Sequence, residues 1–231
     1  MLRLAGNYVH WRKPADGKGL VVTYQLVSAA VEFPGARNCR KMTSLDQLLA
    51  DSELSLAKLR EEVAAAFAMW EAAANIGFRE APQGARADIL IGAQAEPEGW
   101  AFADVFYDTA SAERIKPISQ SLICMNPTKR WKIGFDGDLK IYDLRYTVTH
   151  EIGHAIGLDH PTGSGQIMGY RYEEKFRSLQ PGDRQGVVLL YGERNPAVVH
   201  AAAERSSADA HRRQLRFAKR WVSRAISHAA P

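Results

Sequence analysis

Between residues 54 and 78 the apolar positions Leu59, Val63, Phe67 and Trp70 recur at spacings of four, four and three. That period places them on one face and predicts an amphipathic helix, closed by Asn75 and Gly77. Upstream, GLVVTYQLVS (19–28) is rich in β-formers and follows the turn-like PADGKG, so it reads as a first strand. FPGARN (33–38) reads as a turn. ADILIG (87–92), GWAFADVF (99–106) and ISQSLICMN (118–126) read as three further strands, the first of them buried. Asp143 is a natural N-cap for a helix through TVTHEIGHAI, which Gly157 would stop. Pro181 opens a final helix, PGDRQGVVLLYG. No internal repeat is visible. Strands with one helix, then two helices separated by a loop, make the chain α+β or α/β.

Composition narrows this little. The 231 residues are 46% hydrophobic and 24% charged, ordinary for a globular domain with room for a sizeable core. No apolar run approaches the roughly 20 residues that span a bilayer. The N-terminus lacks the apolar stretch and cleavage site of a signal peptide. Charge is uneven. Residues 196–231 hold seven Lys/Arg and two Asp/Glu, a net of +5, so residues 1–195 sum to −1 of the overall +4. The basic balance therefore belongs to a tail and says little about what the main domain binds. Two cysteines, Cys39 and Cys124, permit one disulfide or two buried thiols, and free thiols are the reading preferred here.

The chemistry is concentrated in THEIGHAIGLDHPTGSGQIMGY. Three of the seven histidines, His150, His154 and His160, lie within eleven residues. On a helix, residues four apart share a face, so His150 and His154 can aim ring nitrogens at one point with Glu151 beside them. HExxH on a helix is a zinc signature with the glutamate as general base. A catalytic zinc takes three protein ligands and keeps one position open. Gly157 can adopt positive φ and turn the chain back, which brings His160 to the same point. The full HExxHxxGxxH is far more specific than HExxH alone.

HEIGHAIGLDH followed by QIMGY resembles the metzincin zinc peptidases, whose pattern is HExxHxxGxxH with a Met-turn. Within that clan the chain is most similar to the matrixins (peptidase family M10). Trp11 before the VVTYQLV strand, FAMW in the helix, ADILIG, and LQPGDRQGVVLLYG after the Met-turn follow matrixin order, over roughly residues 8–192. The resemblance implies an α+β metzincin (zincin-like) catalytic domain: a twisted mixed sheet, an active-site helix, a Met-turn and a C-terminal helix. It implies one catalytic zinc on His150, His154 and His160, with Met168 as the hydrophobic floor of the Met-turn and Asp183 bonding near it. It also implies a zinc-dependent endopeptidase in which a zinc-bound water attacks a peptide carbonyl and Glu151 acts as general base. The substrate would be a protein or peptide, extended and antiparallel to an edge strand, for which GWAFADVF is the candidate. RYEEKFRSLQ (171–180) would border the pocket for the residue after the cut, its charges favouring a polar or acidic side chain.

There are departures from the family pattern. Tyr170, two residues after Met168, matches a zinc-proximal tyrosine of astacins and serralysins, which assigns it a catalytic role. No histidine lies between His10 and His150, so the structural zinc of vertebrate matrixins is not expected. The resemblance starts close to residue 1, so no propeptide is expected. Asp136 and Asp138 in FDGD suggest calcium, but the rest of an oxygen cage is not evident and a solvated turn is the preferred reading. Cys39 lacks the motif that surrounds a zinc-capping thiolate. Extracellular location follows from the resemblance alone.

The expected organisation is a catalytic domain over 1–195 and a basic, helical extension over 196–231. In the extension Leu215, Val222 and Ile226 share a face, with arginines on the others. Such a helix suits a membrane surface or an acidic partner, or packs on its own domain with a solvated basic face. No nucleic-acid module is recognisable. A monomer is expected. Two functions of other classes stay open: a catalytically silent binding or regulatory protein on a metzincin scaffold, and a zinc amidase acting on a cell-wall peptide.

Overall fold

The computed structural model describes residues 1–15, 19–163 and 165–194. The expected extension over 196–231, and the boundary before it, lie outside the described residues. The chain opens with a hairpin, β1 (Arg3–Leu4) and β2 (Asn7–His10), followed by β3 (Leu20–Leu26), β4 (Val31–Glu32) and β5 (Lys41–Thr43). Helices α1 (Asp46–Asp51) and α2 (Leu56–Ala73) follow, then β6 (Ile76–Glu80), β7 (Ile89–Gln94), β8 (Ala101–Tyr107) and β9 (Ile115–Met125). Short strands β10 (Trp131–Lys132) and β11 (Tyr142–Asp143) precede α3 (Leu144–Ala155), and α4 (Pro181–Tyr191) is the last element among the described residues. Among the described residues no helix is long and apolar enough to cross a membrane.

Helix α2 buries Leu59, Val63, Phe67 and Trp70, the face its periodicity predicts, and Ser55 caps its start by accepting from the Lys58 N–H. Its end differs from expectation. The helix stops at Ala73, because Ala74 turns extended and Ile76 joins a parallel ladder opposite Leu20. Asn75 and Gly77 thus belong to the crossing into β6, whose backbone groups the neighbouring strand satisfies.

The main sheet is mixed. β6, β3, β7 and β9 pair in parallel in that order, β2 adds in parallel to the start of β9, and β8 pairs antiparallel along most of β9. Strand β7 is buried almost throughout, and β9 is buried from Ser121 to Met125 where the two pair, as a parallel sheet requires. Among the described residues no strand pairs with the outer side of β8.

Helix α3 lies across one face of this sheet, and its C-terminal carbonyls, orphaned by the end of the helix, are collected by side chains from three distant elements. The Ala155 carbonyl accepts from the Trp11 indole at 3.1 Å and the Ser121 hydroxyl at 2.9 Å. The Ile156 carbonyl accepts from the Tyr191 hydroxyl at 2.5 Å. Nearly two turns earlier, the Thr149 carbonyl accepts from the Trp70 indole at 3.0 Å. These donors fix the axial position of the helix that carries HExxH.

The other face carries a smaller cluster of Ala36, Cys39, Met42, Leu122 and Cys124. Here the free-thiol reading is corrected: Cys39 and Cys124 form a disulfide, with Cα atoms 5.6 Å apart and both side chains fully buried. No local pattern announces the pairing, since 85 residues separate the two and only the sheet brings them together. Asp104 of β8 braces the same loop by accepting from the Asn38 and Cys39 amides, both at 2.7 Å. A cross-link closing so long a loop restricts the unfolded chain by about 4 kcal/mol. Cys39→Ser with Cys124→Ser is therefore expected to lower urea stability by up to that amount while leaving the fold intact. A midpoint unchanged from wild type would contradict this.

Candidate active site

Asp143 accepts from the Tyr146 N–H at 2.8 Å and starts α3. On the helix, His150 and His154 point the same way. Gly157 then reverses the chain at φ +99°, where an added Cβ would lie 2.4 Å from the Val9 carbonyl oxygen. The return brings His160 back, and the three Nε2 atoms stand 3.1 to 3.2 Å apart.

The outer nitrogens decide the tautomer. Nδ1 of His150 is 2.8 Å from the Ile167 carbonyl, and Nδ1 of His154 is 2.9 Å from the Leu158 carbonyl. A carbonyl only accepts, so each Nδ1 carries the proton and each Nε2 presents a lone pair to the centre. Lone pairs this close repel unless a cation lies between them. Tetrahedral zinc with bonds of 2.0–2.1 Å separates its nitrogen ligands by about 3.3 Å, so the donor set fits zinc. Burial lowers the pKa of all three rings, to about 3 for His150 and about 4 for His154, which keeps them in the neutral form a metal takes.

Glu151 is 6% exposed and lines the cleft beside the histidines. Burial raises its pKa to about 8 in the protein alone. A neighbouring cation favours the carboxylate and pulls that value down.

Met168 lies beneath α3, 2% exposed. A Cβ added at Gly153, between the two helical histidines, would stand 2.2 Å from its sulfur. Only glycine leaves room for that thioether under the helix. Buried Asp183 ties the turn to α4: its carboxylate accepts from the amides of Ile167 at 2.9 Å, Met168 at 3.0 Å and Gln180 at 2.8 Å. Tyr170 is 84% exposed, and its ring stands edge-on to His160 at 5.3 Å between centroids.

These groups open into a cleft of about 640 Å³ that runs beside β8. Its aromatic wall is the part the motif did not reveal. Trp100 stacks on Tyr142 at 3.9 Å, Tyr142 on Tyr172 at 4.1 Å, and Tyr172 meets Tyr146 edge-on at 5.0 Å. Tyr146 lies one turn before His150 on the same helix face, a spacing that would have found it. The segment 171–180 borders the cleft through Tyr172, while its charges point elsewhere. Glu174 accepts from the Tyr172 hydroxyl at 2.9 Å and from the Asp136 and Gly137 amides at 3.0 and 2.6 Å, and pairs with Lys132. At this end the cleft is therefore lined by rings, held in place by a carboxylate. Lys132 also pairs with Asp136, so an ammonium group occupies the FDGD turn.

Fold and site together define an α+β metzincin. A sequence profile of the matrixin family matches residues 44–192, and the chain belongs to that family, whose members are zinc-dependent metalloendopeptidases acting on peptide or protein substrates. It is similar to human stromelysin-3, 31% identical over 147 residues covering 61% of this chain and 29% of that protein. It is also similar to human matrix metalloproteinase-21, 32% identical over 161 residues covering 61% and 25%. Arabidopsis thaliana metalloendoproteinase 1-MMP is 31% identical over 136 residues covering 55% and 36%. The chain thus spans about a quarter to a third of the length of these curated relatives.

Proposed function

We propose that this chain is a zinc endopeptidase in which His150, His154 and His160 hold one zinc ion and Glu151 is the general base. The observation that carries this reading is the convergence of three histidine Nε2 atoms, two of them left proton-free by their Nδ1–carbonyl bonds, beside a buried carboxylate on a cleft. Zinc held there supplies Lewis acidity and lowers the pKa of a water to about 7. The Glu151 carboxylate takes a proton from the attacking water and returns it to the amide nitrogen of the leaving group. The unpaired side of β8 orients an extended substrate through backbone hydrogen bonds. Tyr170, exposed and beside His160, donates its phenolic proton in a hydrogen bond to the oxygen on which charge develops. The Nδ1–carbonyl bonds hold the two helical rings in place, and Met168 supports the helix by packing against Gly153.

Metal removal tests this directly. Chelation is expected to abolish hydrolysis of casein or mixed peptides, and about one equivalent of zinc to restore it. Acid should act the same way. The folded-state histidine pKa values are lowered, so the rings stay neutral as pH falls below 6.5 and protonate only toward about 4. The unfolded chain binds more protons across that window, so acid also costs the folded state stability there. Zinc content and hydrolysis followed together from about pH 7 to about pH 3 are expected to hold near pH 6 and fall in parallel toward pH 4. Hydrolysis that persists after complete zinc loss would overturn the assignment.

A further inference from the structure

The cleft carries apolar surface that neither the metal site nor the proton transfers use. Leu2, Leu4 and Val105, a partly buried residue of β8, line it together with His154 and Asp159. A tight reversal delivers them: Ala5 and Gly6 have φ of 44° and 84°, as in a two-residue primed turn, and β1 folds back on β2 with Arg3 opposite Tyr8 and Leu4 opposite Asn7. β2 is zipped to the start of β9 from Tyr8–Ile115 to His10–Pro117. Two hydrogen bonds then tie β1 to the site. The Leu2 N–H donates to the carbonyl of Gly157, the residue that turns the chain toward His160, at 2.7 Å. The Tyr107 hydroxyl donates to the Leu4 carbonyl at 3.4 Å. Both leucines pack on the core yet stay partly exposed, so each offers a face to the cavity.

The direction of β8 says which part of a substrate meets them. It runs from Ala101, next to Trp100 and the aromatic wall, to Tyr107, next to the hairpin. A peptide lying antiparallel to it places the residues N-terminal to the cut toward Tyr107. We infer that the N-terminal hairpin is a recognition element, with Leu2, Leu4 and Val105 forming an apolar subsite for an aliphatic or aromatic side chain on the N-terminal side of the scissile bond. The inference rests on the peptidase reading above. Complementary apolar contact of this kind changes kcat/KM by roughly tenfold to a hundredfold between a fitting and a non-fitting side chain.

The test uses the zinc-loaded full chain and a peptide series varied among Leu, Trp and Glu at each of the three positions before the cut. Wild type is expected to prefer Leu by about tenfold or more at one of them. Leu4→Lys is expected to collapse or reverse that preference at that position alone, leaving preferences after the cut unchanged. The readout is a ratio within one preparation, so a lower active fraction does not mimic it. Leu4→Ala, which keeps the backbone pairing, should shift acceptance from Leu toward Trp and serves if the lysine variant does not fold. Active variants that keep the wild-type profile at all three positions would overturn the subsite and leave the peptidase reading standing. A wild type that cuts no peptide with zinc bound overturns both.

Discussion

Glu151→Ala is expected to retain zinc and lose roughly a thousandfold in kcat/KM, the size of effect a positioned general base supplies. The separation follows from the geometry. The three nitrogens that converge at 3.1 to 3.2 Å are oriented by the Ile167 and Leu158 carbonyls and by the Gly157 turn, none of which involves the glutamate. Removing the carboxylate therefore leaves the metal ligands aimed as before and removes only the group that accepts and returns the proton. It also removes a buried acid, so thermal stability should hold or rise. Zinc content per chain, melting temperature and peptide hydrolysis on the same preparation decide the matter. Wild-type hydrolysis by the variant would exclude Glu151 as the base. Loss of zinc along with activity would mean that the carboxylate holds the metal rather than the proton.

Gly157→Ala should damage the protein more broadly. The residue is at φ +99°, and a Cβ there would stand 2.4 Å from the Val9 carbonyl oxygen, a backbone atom held in the β2–β9 ladder. Left-handed backbone and a clash with fixed main chain together cost about 3 kcal/mol or more. The same turn sets Leu158, whose carbonyl holds the His154 ring, and leads to His160. Stability and metal affinity are thus expected to fall together: a lower urea midpoint, and zinc lost at chelator concentrations that leave wild type loaded. A variant as stable as wild type with unchanged zinc affinity would show that the turn tolerates a side chain and that His160 is placed by other contacts.

Much of this was legible without coordinates because the information is local. The 4-4-3 spacing of Leu59, Val63, Phe67 and Trp70 reflects the helix period and reappears as the buried face of α2. Asp143 as a cap, Gly157 as a stop and Pro181 at the start of α4 are choices the backbone makes within a turn or two. HExxHxxGxxH encodes its own geometry: a helical repeat for two rings and a glycine reversal for the third.

What the sequence left open depends on residues far apart. Local propensity carries α2 on toward Gly77, but a ladder partner more than fifty residues upstream draws Ile76 into β6. Cys39 and Cys124 pair because β9 and the loop before β5 meet on the outer face of the sheet. Glu174 reads as one charge in a charged loop, and only Lys132, Tyr172 and the Asp136–Gly137 amides turn it into the anchor of an aromatic wall. Leu2 and Leu4 read as ordinary leucines until the Ala5–Gly6 reversal and the Gly157 carbonyl bring them to the cleft. The sequence by itself determined the metal-binding motif, the helix that bears it and the family, since each is set by spacing along a few turns of chain. The tertiary structure alone decided the disulfide, the walls of the cleft and the place of the N-terminal hairpin, because those contacts arise only once burial of a common core has brought distant segments together.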